Sequence, residues 1–366
     1  MDVVFVLPRW SRVPVGGYSV VYSHADALSA AGLRTTVLHW APVTDRAWRG
    51  VAAEVRRRAR AGGSTLAPSG WHDHHPGVSV RSVLTLPRQW DGQVAVVGTS
   101  WRTVEAVARR ARPGWGFEFL QSYETWSGPA TRVDASWRLP LHTLVIAGWL
   151  ADKADELGAG PVRIVPNFVD PVLASVPAAG RARDPRRVAM LWHQHPVKGS
   201  DVGLAALELA RRQEPALTAC VFSTYERPRQ VPAWIDWAVR PSRGQLAGLL
   251  DGCGMFLAPS RMEGWALPPA EAMARGCAVV ATDIGGHRDY ADHNRTALLA
   301  PAQDAPALAA ALVRLARDPR LARRLAAAGQ QQVCAFTPAA SSAAMVAALR
   351  QLAGTRPAAL TRTGAR

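Results

Sequence analysis

The chain has 366 residues, of which 48% are hydrophobic and 19% charged, so it is long enough for about two globular domains. Its formal net charge of +15 favours anionic partners such as nucleotide phosphates or an acidic membrane surface, whereas no interleaved basic and aromatic motif indicates specific nucleic-acid binding. The sequence has no run of 18 apolar residues, so we expect no transmembrane helix.

The N-terminal stretch MDVVFVLPRW lacks the basic residues that precede the apolar run of a signal peptide, and therefore predicts a first strand. The cysteines are far apart and form no C-x-x-C pair, which predicts neither a zinc site nor a disulfide framework. We therefore expect a cytoplasmic protein without a structural metal. The four cysteines are Cys220, Cys253, Cys277 and Cys334.

Short apolar runs alternate with segments of helical periodicity along most of the chain, a pattern typical of parallel sheets covered by helices. The predicted strands are 3–7, 35–40, 94–98, 143–148, 162–167, 188–192, 218–223, 255–259 and 278–283. The predicted helices are 18–31, 101–111, a stretch after 148, 200–213 and 269–275, and the Ala-, Leu- and Arg-rich stretch 306–328 also has helical periodicity.

The stretch VDPVLASVPAAGRARDPRR (169–187) is rich in Pro, Ala and Arg and interrupts this alternation, so we place the domain boundary there. We predict an N-terminal domain over 1–172 that also includes a helix near 338–353, a C-terminal domain over 173–337, and a disordered tail over 354–366. Because ligands of doubly wound sheets bind at the carboxyl ends of strands and between domains, we expect the site in the cleft.

The stretch RMEGWALPPAEAMARG (261–276) places two carboxylates around a stiff turn. Pro268 or Pro269 suits the first position of a helix, which predicts Glu263 on the turn and Glu271 in the first helical turn. Free backbone N–H groups and the helix start favour an anionic ligand, and the carboxylates would accept hydrogen bonds from its hydroxyls. The alternative is structural: Glu271 only complements the helix dipole and Glu263 is solvated.

The longer stretch PSRMEGWALPPAEAMARGCAVVATDIGG resembles the signature of retaining GT-B glycosyltransferases of the family 4 type, also called glycosyl transferases group 1. That signature is Glu, seven residues, Glu, then a helix, a buried strand and a Gly pair. Weaker matches follow the family's order at 14–38, 162–170, 195–199 and 334–352. The resemblance implies two doubly wound Rossmann-like domains facing across a cleft, with the acceptor bound by the first and the nucleotide sugar by the second.

The resemblance also implies roles for individual residues. Glu263 matches the acid that hydrogen-bonds the donor sugar, Glu271 the acid that accepts from the ribose, and Lys198 the lysine that neutralises the diphosphate. Trp265 is also interpreted as packing that shapes the turn. The residues whose backbone would surround the donor are Gly16, Gly17, Gly264, Trp265, Ala266 and Leu267.

The sequence departs from the family pattern before the lysine, where an Arg is usual and LWHQHPVKG stands instead. Either His193 is protonated and binds the diphosphate, or another residue such as Arg261 supplies the charge; ordinary loop histidines are the structural alternative. Arg240 precedes a predicted helix where the nucleobase docks in the family, and it is a candidate for stacking on the base.

A second departure lies in FLQSYETWSGP (119–129), where the family often has a sugar-proximal His and this chain has Glu124. The Gln-x-Tyr-Glu pattern is similar to that of a rhamnosyltransferase-like subgroup. Glu124 would contact the acceptor hydroxyl or the donor sugar, and the alternative is a surface loop with an aromatic anchor.

The implied reaction moves a sugar from a nucleotide-diphosphate sugar to an acceptor hydroxyl with retention, in the synthesis of a cell-envelope polysaccharide, glycolipid or glycoconjugate. No D-x-D motif is present, so we expect no required metal and no cofactor beyond the donor substrate. The expected partners are the donor and a glycan or lipid-linked acceptor. The basic stretch EVRRRARAGG (54–63) is either a dock for the anionic inner face of a membrane or a solvated helix.

Other functions stay open from the sequence. A sugar-nucleotide epimerase would act without an acceptor, and a phosphorylase on the same fold would need inorganic phosphate. A non-catalytic sugar-nucleotide or glycan-binding module is a third alternative, because fold does not imply activity. A dinucleotide dehydrogenase is disfavoured, since GGYSVV is not G-x-G-x-x-G.

Overall fold

The computed structural model describes residues 1–11, 14–41, 72–175 and 183–357. The chain forms two compact units: a first unit of Met1–Pro166 with Ser341–Arg366, and a second unit of Asn167–Ala340. The basic stretch 54–63, residues 176–182 of the predicted domain connection, and residues 358–366 of the predicted tail lie outside the described residues.

The first unit contains a seven-stranded sheet in the order β3-β2-β1-β4-β5-β6-β7, with every neighbouring pair parallel. Its strands are β1 (Asp2–Leu7), β2 (Arg34–Trp40), β3 (Val78–Val83), β4 (Val94–Gly98), β5 (Gly116–Leu120), β6 (His142–Val145) and β7 (Val162–Ile164). The helices between them are α1 (Gly16–Ala30), α2 (Trp101–Ala108), α3 (Ala130–Ser136) and α4 (Gly148–Glu156).

The second unit contains a six-stranded sheet in the order β10-β9-β8-β11-β12-β13, again with every neighbouring pair parallel. Its strands are β8 (Asp184–Leu191), β9 (Thr218–Ser223), β10 (Ile235–Val239), β11 (Cys253–Ala258), β12 (Ala278–Thr282) and β13 (Ala297–Ala300). Its helices are α5 (Pro171–Ala174), α6 (Ser200–Gln213), α7 (Arg243–Asp251), α8 (Leu267–Ala274), α9 (Gly285–Arg288), α10 (Ala305–Arg317) and α11 (Pro319–Val333).

Both sheets share one strand order when each is numbered from its own first strand. The chain runs outward from the first strand to the third, then returns to place the fourth beside the first. This is the Rossmann order, in which the direction of winding reverses between strands one and four. The predicted fold class, doubly wound α/β domains of the GT-B type, is confirmed.

The inner strands of the second sheet are buried at their centres, because helices cover both faces, whereas the edge strand β10 is largely accessible. Val188, Met190, Met255, Leu257 and Val280 are each completely inaccessible to solvent. Parallel strands buried on both faces read as continuous apolar runs, which is why the sequence predicts β8, β9, β11 and β12 to within a few residues.

The stretch 306–328, in which the sequence has helical periodicity, is occupied by two helices. Asp318 separates α10 from α11, and its Oδ1 accepts hydrogen bonds from the backbone N–H groups of Arg320 and Leu321. Pro319 takes the first position of α11, where a missing N–H costs nothing. The cap and the proline therefore start a new helix although the apolar periodicity continues.

Among the described residues, one stretch meets the length and composition of a membrane-spanning helix, Pro319–Leu352. The structure divides it into α11 and a last helix, α12 (Pro338–Leu352), of 15 residues each. A membrane-spanning helix needs about 20 consecutive residues, so neither helix alone is long enough.

Candidate active site

Two loops of the second unit meet where its sheet reverses winding. A lysine loop (residues 195–199) follows β8, and a donor turn (residues 260–267) follows β11. Because β8 and β11 are adjacent and parallel, the loops that follow them lie at the same edge of the sheet. Ligands of doubly wound sheets bind at this position.

Backbone contacts join the lysine loop to the donor turn. Gly199 adopts a left-handed φ of 61°, and a Cβ on it would lie 2.0 Å from the carbonyl oxygen of Pro259. The N–H of Arg261 donates to the carbonyl of Val197 at 2.7 Å. Only glycine fits such an approach, so the Lys-Gly pair of the sequence fixes the position of Lys198.

Lys198 and Glu263 form a bidentate ion pair at the centre of this site. The Lys198 Nζ lies 2.8 Å from Oε1 and 2.9 Å from Oε2 of Glu263, and the Ser260 hydroxyl donates to Oε1 at 2.8 Å. The Lys198 side chain is 29% exposed and that of Glu263 12%, so a ligand can reach the pair from one side. The structure thus brings together two residues that are 65 positions apart.

The backbone of Glu263 is held from behind by the Gly pair that follows β12. A Cβ on Gly286 would lie 2.4 Å from the Glu263 carbonyl oxygen and 2.6 Å from its Cβ. The second glycine of the pair is therefore required for close approach of α9 to the donor turn.

The rest of the donor turn is buried and ends in strained backbone. Trp265 is 1% exposed, and its ring packs against Tyr290 and Phe336 at centroid distances of 4.9 and 5.0 Å. Ala266 has a φ of 55°, unusual for a residue with a Cβ, and its carbonyl accepts from the Tyr290 hydroxyl at 2.9 Å. The side chain of Trp265 therefore packs beneath the turn. Gly264 is buried beside it, and Leu267 begins α8.

Glu271 lies in the second turn of α8 and not in the first, because the helix begins at Leu267 and Pro268 takes its second position. The carboxylate is buried, and its Oε1 lies 3.3 Å from Nη1 of Arg243. Arg243 also contacts Asp170 Oδ2 through Nε at 3.2 Å. Burial raises the pKa of Glu271 to about 7, Arg243 lowers it and Asp170 raises it. At this depth along the helix, Glu271 does not act by complementing the helix dipole.

His193 is held in its neutral form. Its Nδ1 accepts from the backbone N–H of His195 at 2.9 Å, and the backbone N–H of His193 donates to the Ser200 hydroxyl at 2.9 Å. Burial lowers the pKa of His193, and so do the charges of Lys198 and His195. Of the alternatives left open by the sequence, a protonated His193 is therefore disfavoured at neutral pH.

The other cationic candidates are bound to protein groups. The guanidinium of Arg261 contacts Asp201 Oδ2 at 2.7 Å and donates to the carbonyl of Pro196. Arg240 lies exposed on the turn after β10 with a φ of 47°, and its Nε donates to the Thr224 carbonyl at 2.9 Å. Arg261 thus helps to join the two loops, while Arg240 is fixed to the strand edge beside β9.

Two residues near the site were not identified from the sequence, Arg243 and His287. Arg243 stands three positions after Arg240. The sequence signal that could have identified it is the helix start Ser242-Arg243, in which Ser242 caps α7 and Arg243 is its first residue. His287 is completely buried in α9, where its Nδ1 contacts the Thr282 carbonyl at 2.7 Å. Burial lowers the pKa of His287, and its Nε2 makes no hydrogen bond within the part of the chain that the structure describes.

The remaining predicted residues lie in the first unit. Gly16 and Gly17 begin α1 after β1, and the Gln121 side-chain amide donates to the Gly17 carbonyl at 3.0 Å. The Glu124 carboxylate accepts at 3.1 Å from the N–H of Trp101, the first residue of α2. Burial raises the pKa of Glu124 to about 7, against the lowering effects of the Trp101 N–H and of Arg102. Glu124 therefore binds the first N–H of a helix that Ser100 caps, a contact that the sequence did not indicate.

Residues 187–318 match the family model of glycosyl transferases group 1. The matched segment lies within the second unit and contains the lysine loop, the donor turn and Glu271. It covers the paired-Glu stretch and the match at 195–199, but not the weaker matches at 14–38, 162–170 and 334–352.

Two curated relatives match shorter segments. The chain is 36% identical over 92 residues to an uncharacterised glycosyltransferase, YqgM, of Bacillus subtilis (strain 168), which is 25% of this chain and 26% of that protein. It is 41% identical over 68 residues to the lipopolysaccharide core biosynthesis mannosyltransferase LpcC of Rhizobium leguminosarum bv. viciae, 19% of each protein. The matched segments thus span 26% and 19% of these relatives.

Solved structures share the fold over nearly the whole chain. Sucrose-phosphate synthase from Thermosynechococcus elongatus superposes with a TM-score of 0.72 at 18% identity, covering 96% of this chain and 99% of that one. HepE of Anabaena in complex with UDP and glucose superposes with a TM-score of 0.71 at 15% identity, covering 96% and 100%. At such identities the likeness establishes the fold alone.

Proposed function

We propose that this chain is a retaining glycosyltransferase that moves a hexosyl or deoxyhexosyl group from a nucleotide-diphosphate sugar to an acceptor hydroxyl. The observation that carries the proposal is the Lys198–Glu263 pair at the winding reversal of the second sheet, inside the segment that matches glycosyl transferases group 1. The product would be a cell-envelope polysaccharide, a glycolipid or another glycoconjugate, and the reaction would take place in the cytoplasm or at the inner face of the membrane.

In this proposal the two glutamates bind different parts of the donor. Glu263 accepts a hydrogen bond from a sugar hydroxyl beside the partly exposed ion pair. Glu271 accepts from the ribose, since its buried carboxylate is already oriented by Arg243. A carboxylate with a pKa near 7 gains more from a hydroxyl donor than a solvated one does, because burial has left its negative charge poorly stabilised.

Lys198 offsets the negative charge that develops on the diphosphate as the sugar–phosphate bond breaks. Its ammonium turns from Glu263 toward the leaving group or is shared between them. Since burial and the charges of Lys198 and His195 lower the pKa of His193, we assign the remaining stabilisation to backbone N–H groups of the donor turn. Preorganised donors of this kind stabilise the transition state without a metal ion, so we propose that transfer requires none.

Similar structures support a uridine nucleotide as the first donor to test. HepE of Anabaena was solved in complex with UDP-glucose, and the pneumococcal O-GlcNAc transferase GtfA in complex with UDP and GlcNAc. For this chain we propose a UDP-sugar donor and a glycan or lipid-linked acceptor, with Glu124 at the acceptor side of the first unit.

A donor screen tests the proposal. Thermal shift and donor hydrolysis are measured against UDP-, GDP-, dTDP- and ADP-sugars, with Glu263→Gln as the matched variant. We expect one nucleotide class to raise the melting temperature and to be hydrolysed slowly, and Glu263→Gln to lose the sugar-dependent part of the shift. Retention is then read from the anomeric configuration of the transfer product by NMR.

The same screen separates the other functions. Conversion of the donor into an isomeric sugar nucleotide without acceptor would indicate an epimerase, and turnover that depends on inorganic phosphate would indicate a phosphorylase. Binding without any turnover, across a broad acceptor set, would indicate a non-catalytic module.

A further inference from the structure

Three potential metal ligands meet in the first unit, away from every residue assigned to glycosyl transfer. Asp26 lies on α1, whereas His72 and His74 lie in the segment that leads into β3. One ligand atom from each lies within 4.8 Å of the other two. His72 Nε2 is 2.8 Å from Asp26 Oδ2, and His74 Nδ1 is 3.4 Å from Asp26 Oδ1. We refer to these three residues as the Asp26 cluster.

The Asp26 cluster is largely shielded from solvent. The side chains of Asp26, His72 and His74 are 23%, 19% and 16% exposed. The two imidazole rings lie 4.6 Å apart and pack against the ring of Tyr22 at 5.1 and 4.7 Å. Both ring nitrogens of His74 are buried: Nδ1 contacts Asp26 Oδ1 at 3.4 Å, whereas Nε2 makes no hydrogen bond to any residue that the structure describes. A buried imidazole nitrogen without a hydrogen bond is costly unless another ligand satisfies it.

Neighbouring groups fix the orientation of the cluster. The backbone N–H of His75 donates to Asp26 Oδ1 at 2.9 Å. Tyr22, which is completely buried, is itself held by a 2.8 Å hydrogen bond between its hydroxyl and His39 Nε2. Metal-binding carboxylates and their apolar surroundings are commonly fixed in this way.

We propose that Asp26, His72 and His74 bind one divalent transition-metal ion, with Zn²⁺ as the favoured ion, and that the ion ties the segment at residues 72–74 to α1. Two imidazole nitrogens and one carboxylate are a ligand set that suits zinc, and water completes the coordination. Ligand atoms around tetrahedral zinc lie about 3.4 Å apart, so the cluster needs only small side-chain shifts to bind the ion.

The proposal goes beyond glycosyl transfer, which we propose to be metal-independent. The role of the ion is structural: α1 begins at Gly16 and Gly17, and the ion would fix its second half to the strand entry of β3. The cysteine spacing gave no sign of this site, because its ligands are a His-x-His pair and an Asp 46 residues before it.

Metal binding is tested on the full chain after chelator treatment and dialysis. Zn²⁺ binding is measured by calorimetry, and Co²⁺ binding by its visible absorption, in a Cys334→Ala background that removes the one cysteine exposed in the described residues. We expect one ion per chain and a Co²⁺ spectrum of low coordination number. Asp26→Ala and His74→Gln should each weaken binding by at least about 100-fold, since loss of an outer partner alone costs 10–100-fold.

His75→Gln is the matched control, because it removes a neighbouring imidazole that contacts Ser29 and not the cluster side chains. It should leave Zn²⁺ affinity unchanged. The proposal would be overturned if the Cys334→Ala parent did not bind one Zn²⁺ per chain. It would also be overturned if the Asp26→Ala and His74→Gln variants bound Zn²⁺ as tightly as that parent. If a variant does not fold, the Co²⁺ spectrum of the parent still tests the proposal, because a spectrum without low-coordinate Co²⁺ would contradict it. Donor thermal shifts on metal-free protein report on glycosyl transfer separately.

Discussion

The Lys198 ammonium lies within 2.9 Å of both oxygens of the Glu263 carboxylate, so each charge of the candidate site already has a partner inside the second unit. A diphosphate that approaches Lys198 must compete with Glu263. A sugar hydroxyl that binds Glu263 weakens that competition, because the carboxylate then has a second donor. In the proposed donor complex, the sugar and the diphosphate would therefore be coupled through this pair.

Lys198→Ala should lower kcat by about 100- to 1000-fold, a loss typical of one missing donor to a developing negative charge, and should weaken donor binding much less. Lys153→Ala is the matched control, because it removes the other lysine of the chain, which pairs with Glu156 on α4. Steady-state kinetics and calorimetry with the donor check both. Equal losses in kcat and in affinity would indicate uniform binding by Lys198.

Glu271→Ala should weaken nucleotide binding by about 10- to 100-fold, since a hydrogen bond to a charged group contributes about 1.5–3 kcal/mol. Calorimetry with the free nucleotide diphosphate measures the loss. Glu214→Ala serves as the control, because Glu214 precedes β9 and so lies at the opposite edge of the sheet. Unchanged affinity in Glu271→Ala would contradict the ribose contact.

Gly199→Ala should destabilise the protein by more than about 2 kcal/mol and lower donor turnover, because it combines left-handed backbone with a contact of 2.0 Å to Pro259. Gly158→Ala is its control: the φ of Gly158 is 66°, and nothing lies within 4 Å of its added Cβ. That control should show only the backbone cost of about 1 kcal/mol and normal turnover. Urea unfolding and kinetics are measured on both variants. Equal losses of unfolding free energy would mean that the close approach of Gly199 to Pro259 is unimportant.

Glu118→Gln should remove part of the pH dependence of stability. Glu118 is completely buried in β5, Thr143 donates to its Oε1 at 2.7 Å, and burial raises its pKa to about 8. Between its ordinary pKa near 4.5 and about 8, the folded protein holds a proton that the unfolded chain releases, so stability falls as pH rises through this window. Urea midpoints at pH 5 and pH 8 should differ less in the variant. If the difference between the two urea midpoints were the same in Glu118→Gln, another group would be responsible for the pH dependence.

Chelation should leave transfer activity at moderate temperature intact, because Lys198 and backbone N–H groups carry the charge stabilisation in the proposed mechanism. The melting temperature should fall, since the ion of the Asp26 cluster is removed. Activity and thermal unfolding are measured on the same chelated sample. Complete loss of activity that only Mg²⁺ or Mn²⁺ restores would reject metal-independent transfer.

The sequence predicts most inner strands and the donor turn because their signals are local, whereas the edge strands β3, β10 and β13 were not predicted. Buried parallel strands are continuous apolar runs, and Glu263 and Glu271 stand in one short motif on a turn and a helix. The start of α8 is shifted by one or two residues, because Leu267 and not a proline begins it. That shift moves Glu271 into the second turn and changes the physical reading of its charge.

Contacts between distant segments were not predictable in the same way. Arg243 reaches Glu271 from another helix, and Glu124 reaches the start of α2 from a loop after β5. Neither pair has a sequence pattern, since each depends on where the fold brings two chain segments. The neutral state of His193 likewise follows from its burial and from the His195 N–H, which its residue type does not reveal.

Gly286 has a further consequence for how the candidate site tolerates change. Its missing side chain sets the distance between α9 and the carbonyl of Glu263, so residue 286 acts as a spacer for a carboxylate that belongs to a different turn. A larger residue there would have to displace the backbone of Glu263, and with it the carboxylate that contacts Lys198 and Ser260. In the proposed complex, a position that contacts no substrate would thereby affect how the sugar is held.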